Sequence, residues 1–255
     1  MSMAFVRADL TEDKFLGGQL SLIQPREGYR AGLDPVFLAA SIPARAGESV
    51  LDLGCGVGAA ALCLGTRMKG LKLVGVERQV AYADLARMNA FDNDIDIDVY
   101  TADIVSLPAE VTEHSFDHVM MNPPYHLRGR STPSADPGRA EALFEDTPLA
   151  AWIDAATRRL KPRGYLTMIQ KAERLPEILK AMDDRLGSIL VKPLSPRASR
   201  AAVLVLVQAR KGGRGAFRLA TPLILHDGAE HTGDRESYRR EVSAILRAGA
   251  HLPLW

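Results

Sequence analysis

The chain contains the stretch Val50-Leu51-Asp52-Leu53-Gly54-Cys55-Gly56-Val57-Gly58, in which an apolar run leads into three glycines at alternate positions. The apolar run predicts a buried strand over Ser49 to Leu53, and the residues that follow predict a helix over Ala59 to Met68. Glycines in the turn between them let the backbone approach a ligand closely. The stretch therefore predicts an α/β fold with a ligand site beside these glycines.

The same alternation of short apolar runs with longer amphipathic ones continues along the chain. It predicts a Rossmann-like α/β fold, with a mostly parallel sheet of seven strands and helices on both faces. The other six strands are predicted over Lys72 to Glu77, Ile97 to Thr101, His118 to Asn122, Gly164 to Gln170, Ser188 to Pro193 and Ala202 to Ala209. Further helices are predicted over Gln79 to Asp92, over Pro148 to Leu160 with Thr147 as its cap, and over Ala172 to Leu186.

The segments outside this sheet have their own patterns. We expect residues 1–48 to form a lead-in and a capping helix, and residues 49–255 to form the main domain. Glu12 to Arg30 is polar and rich in glycine, which predicts an irregular segment or a short hairpin. Asp34-Pro35 before five apolar residues predicts a capped helix that Pro43 ends. Phe217 to Leu225 predicts an additional strand, and Glu236 to Ala248 a closing helix.

Composition excludes several classes of protein. The chain has 255 residues, 47% of them apolar and 25% charged, as in an ordinary globular protein. It has no uncharged apolar stretch of about 18 residues, and Arg7 and Asp9 interrupt the N-terminus, so we expect a cytoplasmic protein. Cys55 and Cys63 are too few for a disulfide framework or a four-thiolate zinc site, and we expect no metal. The net charge of +1 means that any nucleic-acid partner depends on local charge.

A polar side chain stands at the end of each of the first four predicted strands. Asp52 and Glu77 stand at the ends of the first two strands, and Asp103 and Asn122 stand at the ends of the next two. A single acid at a strand end is most often a solvated cap, but open α/β sheets bind ligands at this position, and four in succession predict one site. The spacing Gly-x-Gly-x-Gly differs from the Gly-x-Gly-x-x-Gly of dinucleotide sites, which argues against a nicotinamide dehydrogenase.

Asn122-Pro123-Pro124-Tyr125 follows the apolar run Val119-Met120-Met121. By pattern alone it is consistent with a strand that ends in a turn. Its chemistry suits methylation of a planar NH2 group, because the Asn122 oxygen and the Pro123 carbonyl can accept the two N–H bonds and orient the nitrogen. Two prolines stiffen this acceptor pair, and Tyr125 offers a flat face on which a flipped-out base can stack.

The glycine-rich stretch resembles the first motif of class I S-adenosylmethionine-dependent methyltransferases, and Asn122 to Tyr125 resembles the motif of enzymes that methylate planar NH2 groups. The resemblance implies S-adenosylmethionine as cofactor, with Asp52 at the ammonium of the methionine moiety, Glu77 at the ribose hydroxyls and Asp103 at the adenine amine. The implied cofactor residues are Asp34, Asp52, Gly54, Cys55, Gly56, Gly58, Glu77, Arg78, Asp103, Ile104 and Asn122. The implied catalytic residues are Asn122, Pro123, Pro124 and Tyr125.

Three families carry the acceptor motif, and their accessory segments differ. Glutamine methyltransferases of release factors usually have a sizeable helical domain before the first motif, and DNA adenine methyltransferases usually append a recognition domain. The chain is similar instead to small-domain RNA methyltransferases, in particular the bacterial family that makes N6-methyladenosine beside the anticodon of valine tRNA. The flanking segments that share this similarity are Gly28 to Asp34, Arg139 to Phe144, His231-Thr232-Gly233 and Tyr238.

This resemblance implies an S-adenosylmethionine-dependent N6-adenine methyltransferase that acts on RNA, with tRNA near the anticodon as the expected substrate. Two alternatives stay open: methylation of a protein glutamine at N5, and a non-catalytic module that binds the cofactor or RNA. Basic side chains are expected to neutralise RNA phosphates, although a solvated surface explains each of them equally well. They are Arg128 and Arg130 in the loop that follows His126, and Arg197, Arg200, Arg210, Lys211, Arg214 and Arg218 further on. A loop histidine such as His126 is more often simply exposed, while its position beside the predicted pocket is also consistent with a contact to the base or a phosphate.

Overall fold

The computed structural model describes residues 5–127, 144–145, 147–228 and 237–254. Its strands are β1 (Leu10–Phe15), β2 (Leu20–Pro25), β3 (Ser49–Leu53), β4 (Lys72–Glu77), β5 (Ile97–Thr101), β6 (Phe116–Met121), β7 (His126–Leu127), β8 (Phe144–Glu145), β9 (Leu160–Lys171), β10 (Leu186–Ser195), β11 (Leu204–Lys211), β12 (Arg218–Leu219) and β13 (Leu223–Ile224). Its helices are α1 (Asp34–Ser41), α2 (Ala59–Arg67), α3 (Val80–Asp92), α4 (Ala109–Thr112), α5 (Leu149–Arg159), α6 (Leu175–Ala181) and α7 (Arg240–Ala248).

The main sheet contains all seven predicted strands. Strands β5, β4, β3, β6 and β9 lie side by side in this order and are parallel. β11 pairs antiparallel with β9 and with β10, and the short β12 and β13 lie parallel against β10. Strands β3, β4, β5, β6, β9 and β10 therefore all end at one side of the molecule, which we call the carboxyl end of the sheet. The predicted Rossmann-like α/β fold is confirmed.

Both faces of the sheet are buried, each in its own hydrophobic cluster. Val50 and Met120 pack in one cluster, while their neighbours Leu51 and Met121 pack in the other. This alternation follows from the opposite directions of successive side chains in a strand. It also explains why these strands are continuous apolar runs, since helices cover both faces of a parallel sheet.

The predicted N-terminal hairpin is present as β1 and β2, paired antiparallel. Leu20 and Leu22 from the hairpin and Phe37 from α1 lie in the same buried cluster as Leu206 of the sheet. Helix α1 ends at Ser41, just before Pro43, as the sequence predicts. The division of the chain at residue 48 stays a prediction.

Several predicted boundaries are wrong. The helix predicted over Ala172 to Leu186 is a short 3-10 turn followed by α6, because Leu186 already pairs with Lys211 in the sheet. Helix α5 begins at Leu149 after Pro148, so Thr147 is not its cap. The strand predicted over Phe217 to Leu225 is divided into β12 and β13.

Candidate active site

A cavity of about 1130 Å³, including the space open to solvent, lies at the carboxyl end of the sheet. It brings together all four residues of the acceptor motif and nine of the eleven predicted cofactor residues. The predicted residues that line it are Asp52, Gly54, Cys55, Gly56, Glu77, Arg78, Asp103, Ile104, Asn122, Pro123, Pro124 and Tyr125. Asp34 and Gly58 do not line it.

The glycine turn is shaped by contacts from two directions. The N–H groups of Gly54 and Cys55 both donate to the carbonyl of Val76, at 2.8 and 3.0 Å. Gly54 has φ +71°, and a Cβ atom there would lie 2.6 Å from the ring of Trp152. Gly58 has φ +85° and is the N-cap of α2, which explains why it is a glycine although it does not line the cavity.

Glu77 holds the turn from the end of β4. Its carboxylate accepts hydrogen bonds from the N–H groups of Gly56 at 3.0 Å and Gln79 at 2.8 Å. Burial raises the pKa of Glu77, and these N–H bonds oppose the shift. A carboxylate has about four acceptor positions, so Glu77 retains capacity for a ligand with hydroxyl groups.

Asp103 and Ile104 follow β5 and form the next part of the wall. Asp103 accepts a hydrogen bond from the N–H of Val105 at 3.1 Å, and Ile104 is buried. One hydrogen-bond acceptor beside one apolar side chain is the combination that a purine ring with an amino group requires.

Three buried polar atoms of the cavity have no hydrogen-bond partner among the described residues: Asp52 Oδ2, Asn122 Oδ1 and Trp152 Nε1. Buried polar groups are nearly always paired. Asp52 is only 2% exposed, and burial raises its pKa to about 8, against the hydrogen bond donated by the Ala61 N–H. Asp52 and Asn122, which both line the cavity, therefore each keep one oxygen unpaired among the described residues.

The Asn122 side chain is oriented by an aromatic pair from outside the motif. Its Nδ2 donates to the Tyr29 hydroxyl at 3.3 Å, which leaves Oδ1 as the atom available to a ligand. Tyr29 is held in turn by the Tyr82 hydroxyl, which accepts from the Tyr29 N–H at 3.0 Å and donates to the Tyr29 carbonyl at 3.3 Å. Burial raises the pKa of Tyr29, so its hydroxyl stays protonated.

Tyr125 is fixed through its hydroxyl, which donates to the Asp34 carboxylate. Burial raises the pKa of Asp34, and this bond lowers it. The Lys171 ammonium lies 6.0 Å from the centre of the Tyr125 ring. Asp34 was predicted to bind the cofactor, and its observed contact is with the acceptor motif; its cofactor role stays a prediction.

Sequence reasoning missed several residues of the cavity. Tyr29 lies within the flanking segment Gly28 to Asp34, so the sequence indicated that its segment belongs to the site but not what Tyr29 does there. For Trp152 and Tyr82 the sequence gave no indication of a place in the site, because their contacts depend on how helices α5 and α3 pack against the glycine turn. The other lining residues not predicted are Ala31, Pro35, Val57, Ala59, Ala60, Val76, Gln79 and Thr147.

The predicted RNA-contacting residues that the structure describes do not form one patch. Arg197 is buried, and its guanidinium donates to the carbonyls of Asp227 and Gly228, so its expected exposure to phosphate is wrong. Arg200 is exposed in the turn between β10 and β11, at the carboxyl end of the sheet. Arg210 and Lys211 end β11 at the opposite end, where Lys211 Nζ donates to a backbone carbonyl at 2.7 Å.

Arg214, in the turn that follows Lys211, and Arg218, in β12 beside the middle of β10, are exposed but away from the cavity. Several other residues named from the sequence, as RNA contacts or as parts of the similar flanking segments, lie outside the described residues. They are Arg128, Arg130, Arg139, His231, Thr232, Gly233 and the side chain of His126.

Neither a metal centre nor a membrane-spanning helix is found among the described residues. In the described ranges, no three or more His, Cys, Asp and Glu side chains are grouped as metal ligands. The helices within those ranges are too short or too polar to cross a bilayer.

Known proteins share this fold and sequence. Residues 33–191 match the family described as methyltransferase small domain. A curated tRNA1(Val) (adenine(37)-N6)-methyltransferase from Dickeya chrysanthemi (strain Ech1591) is 31% identical, with 90% of each chain covered. The structure of a "predicted O-methyltransferase" from Agrobacterium tumefaciens gives a TM-score of 0.70 at 26% identity, covering 86% of this chain and 98% of that one. The 16S rRNA N2 G1207 methyltransferase of T. thermophilus, solved with AdoMet and guanosine, shares the fold alone, with a TM-score of 0.55 and 19% identity over 79% of this chain and 50% of that one.

Proposed function

Because this chain belongs to the methyltransferase small domain family and is an S-adenosylmethionine-dependent methyltransferase, we propose that it methylates the N6 nitrogen of adenine in tRNA, near the anticodon. The observation that carries the proposal is the buried, unpartnered Asn122 Oδ1, in one cavity with the Tyr125 ring and with Asp52. The substrate named for the curated relative supports tRNA and adenine as the acceptor.

The cavity fits the cofactor on the donor side. Asp52 would hold the ammonium of the methionine moiety, the glycine turn would lie against it, and Glu77 would accept from the ribose hydroxyls. Asp103 and Ile104 would hold the adenine ring. Bound S-adenosylmethionine supplies an electrophilic methyl group on a positively charged sulfur.

On the acceptor side, the chain's own residues orient the amine. Asn122 Oδ1 and the Pro123 carbonyl each accept one N–H of the adenine NH2 group, which directs the nitrogen lone pair toward the donor. Tyr125 stacks on the base. Asn122 is a neutral amide, so the mechanism depends on orientation and charge stabilisation rather than on a strong base.

RNA contacts belong to the same proposal. Among the predicted contacts within the described ranges, Arg200 is the one exposed at the carboxyl end of the sheet, so we assign it to a phosphate near the target base. Arg210, Lys211 and Arg214 lie at the other end of an eight-residue strand, about 25 Å away at the usual rise per residue. They would contact only a distant part of a large RNA. A cytoplasmic location, where tRNA is modified, is also part of the proposal.

Methyl transfer to separate pools of macromolecules tests the function. Tritiated S-adenosylmethionine is incubated with the protein and with tRNA, rRNA, DNA or protein, and the labelled nucleosides are then identified. We expect N6-methyladenosine in the tRNA pool. Label in a protein glutamine would favour the N5 alternative, and no label in any pool would favour a binding module.

Asn122→Ala tests the acceptor role. Loss of one transition-state acceptor is expected to lower turnover at least about 100-fold, while the protein still binds the cofactor and keeps a melting temperature close to wild type. Asn93→Ala is the matched control, because this amide lies at the C-cap of α3, against β2, and does not line the cavity. Full turnover in a folded, cofactor-binding Asn122→Ala protein would remove the proposed mechanism.

Arg200→Ala tests the RNA surface against Arg214→Ala, which removes an exposed arginine at the opposite end. We expect Arg200→Ala to weaken tRNA binding and to reduce the slope of log affinity against log salt concentration by about one. Arg214→Ala is expected to leave both nearly unchanged. Equal effects of the two variants would contradict the assignment.

A further inference from the structure

Strand β9 lies beside the acceptor motif and continues past the end of β6. Met121, the last residue of β6, is registered with Met168 of β9. Continuing this parallel register by two residues places Pro123 beside Gln170. Because neither Pro123 nor Pro124 has an N–H group, the backbone ladder between the strands cannot continue here.

Side-chain hydrogen bonds from Gln170 replace the backbone hydrogen bonds that are missing between the two strands. Its side chain is fully buried, and its Nε2 donates to the Pro123 carbonyl at 3.1 Å and lies 3.5 Å from the Pro124 carbonyl. Its Oε1 accepts from the N–H of Lys171 at 2.8 Å, which fixes the direction of the amide. The Gln170 donor is thus aimed at the proline carbonyls by a contact within its own strand.

The next carbonyl of the motif is held in a similar way. Arg174 is buried, and its Nη1 donates to the Pro124 carbonyl at 3.2 Å. The same guanidinium binds both carboxylate oxygens of Glu177, at 2.9 and 3.1 Å. Two of the three peptide planes between Asn122 and Tyr125, those that contain the Pro123 and Pro124 carbonyls, are therefore anchored by side chains from β9 and the turn after it.

We infer that Gln170 is a positioning residue for methyl transfer, which orients the Pro123 carbonyl toward the amine. The inference rests on the proposed function, in which that carbonyl accepts one N–H of the acceptor. A carbonyl oxygen has two lone pairs, so a bond to Gln170 leaves one for the substrate. A fixed carbonyl loses no free energy to reorientation as the reaction proceeds, which is how preorganised polar groups accelerate a reaction.

Two leucine variants separate positioning from a general effect on the sheet. Gln170→Leu removes the donor to Pro123. Gln208→Leu removes an equally buried amide on the neighbouring β11, where Nε2 donates to Thr167 Oγ1 at 3.1 Å and no motif residue is contacted. Single-turnover transfer to tRNA is measured at saturating S-adenosylmethionine, with cofactor affinity and melting temperature measured for each protein.

We expect Gln170→Leu to slow the methyl-transfer step about 10-fold to 100-fold, with cofactor affinity and the KM for tRNA within about twofold of wild type. Gln208→Leu is expected to leave the rate within about twofold. A wild-type rate for Gln170→Leu in an active enzyme, or an equal loss in both variants, would overturn the inference. A wild-type protein that transfers no methyl group to tRNA would overturn the proposed function itself, and the inference with it.

Gln170→Glu gives a second readout that a purely structural role does not predict. The substitution keeps the size of the side chain nearly constant and replaces the amide with a group that titrates. A buried carboxyl group donates a hydrogen bond when protonated and repels the proline carbonyls when ionised. We expect the transfer rate of Gln170→Glu, relative to wild type, to fall as pH rises, and a constant ratio across pH would contradict the positioning role.

Discussion

Asp52 is a buried carboxyl group with an unpartnered oxygen, and burial raises its pKa to about 8. A neutral carboxyl group cannot pair with the ammonium of the cofactor, so binding below pH 8 must ionise it. We therefore expect cofactor binding to weaken as pH falls from about 7.5 to 6 and to release up to one proton. Calorimetry in two buffers of different ionisation enthalpy measures that release.

Asp52→Asn is the control for this prediction. It should bind the cofactor more weakly and release fewer protons, and an unchanged release would assign the proton to another group. The stability of the ligand-free protein changes in the opposite sense. Because the pKa of Asp52 is higher in the folded than in the unfolded state, stability falls as pH rises from about 4 to 8. Asp52→Asn should therefore melt higher than wild type at pH 8, by a margin that shrinks toward pH 4.

The residues of the site fall into two groups: those whose position could be predicted from the local sequence, and those whose contacts are visible only in the structure. Asp52, Glu77 and Asp103 were predictable because each stands at or near the end of a predicted strand, and parallel strands end together. Tyr29 and Gln170 act through contacts with Asn122 and Pro123, which are far away in sequence. No periodicity or motif encodes such a contact, so their role required the structure.

At the scale of elements, Asn89 of α3 and Asn93 at its C-cap attach the hairpin to this helix. Asn89 is fully buried and accepts from the Ile23 N–H at 2.7 Å, while its Nδ2 donates to the carbonyls of Ile23 and Val57, both at 3.0 Å. Asn93 makes the corresponding pair of bonds to Ser21, at 2.9 and 2.7 Å, at a half-buried position. These side chains satisfy the edge of β2 that β1 does not pair.

We expect Asn89→Ala to lower the free energy of unfolding by about 2–4 kcal/mol, because it leaves buried backbone groups unpaired. Asn93→Ala should cost about 1 kcal/mol, since water can replace its bonds. Only Asn89→Ala should also weaken cofactor binding, because Val57 belongs to the glycine turn. Urea unfolding and calorimetry check both effects. Equal costs, or unchanged cofactor affinity in Asn89→Ala, would contradict this assignment.

Elements were predictable where local pattern and tertiary environment agree. Strands β3, β4 and β5 have the predicted ends because each is a short run rich in apolar and β-branched residues. The helix predicted to reach Leu186 ends at Ala181, since Leu186 is the first residue of β10 and pairs with Lys211 in the sheet. Likewise, the run of basic residues gave no information on which end of the sheet each would occupy, and Arg197 was buried by a segment 30 residues downstream.

At the scale of the whole molecule, the N-terminal hairpin and the C-terminal helix complete the hydrophobic cluster on one face of the sheet. Leu22 of β2 and Ile245 of α7 pack in the cluster on one face of the sheet, with Leu206. Trp152 packs in the cluster on the opposite face. A strand between two clusters contributes side chains to both. Loss of packing on one face of the sheet should therefore also destabilise the other face.

This arrangement predicts that the chain unfolds as one unit despite the predicted division at residue 48. Leu22 is fully buried, so Leu22→Ala should cost about 2–4 kcal/mol. In a Trp255→Phe background, Trp152 fluorescence reports on the opposite face of the sheet. We expect its urea midpoint and that of far-UV circular dichroism to fall together, because the cluster that contains Leu22 supports the whole sheet.

Val6→Ala is the control for that experiment, because Val6 precedes the hairpin and is 62% exposed. It should change the free energy of unfolding by less than about 0.5 kcal/mol. A Leu22→Ala protein that lost part of its circular dichroism early, while Trp152 kept its wild-type midpoint, would show that the hairpin unfolds independently. Residues 1–48 would then be a separate unit that the sheet does not need, and the placement of Tyr29 and Asp34 over the cavity would be a docking equilibrium rather than a property of the fold.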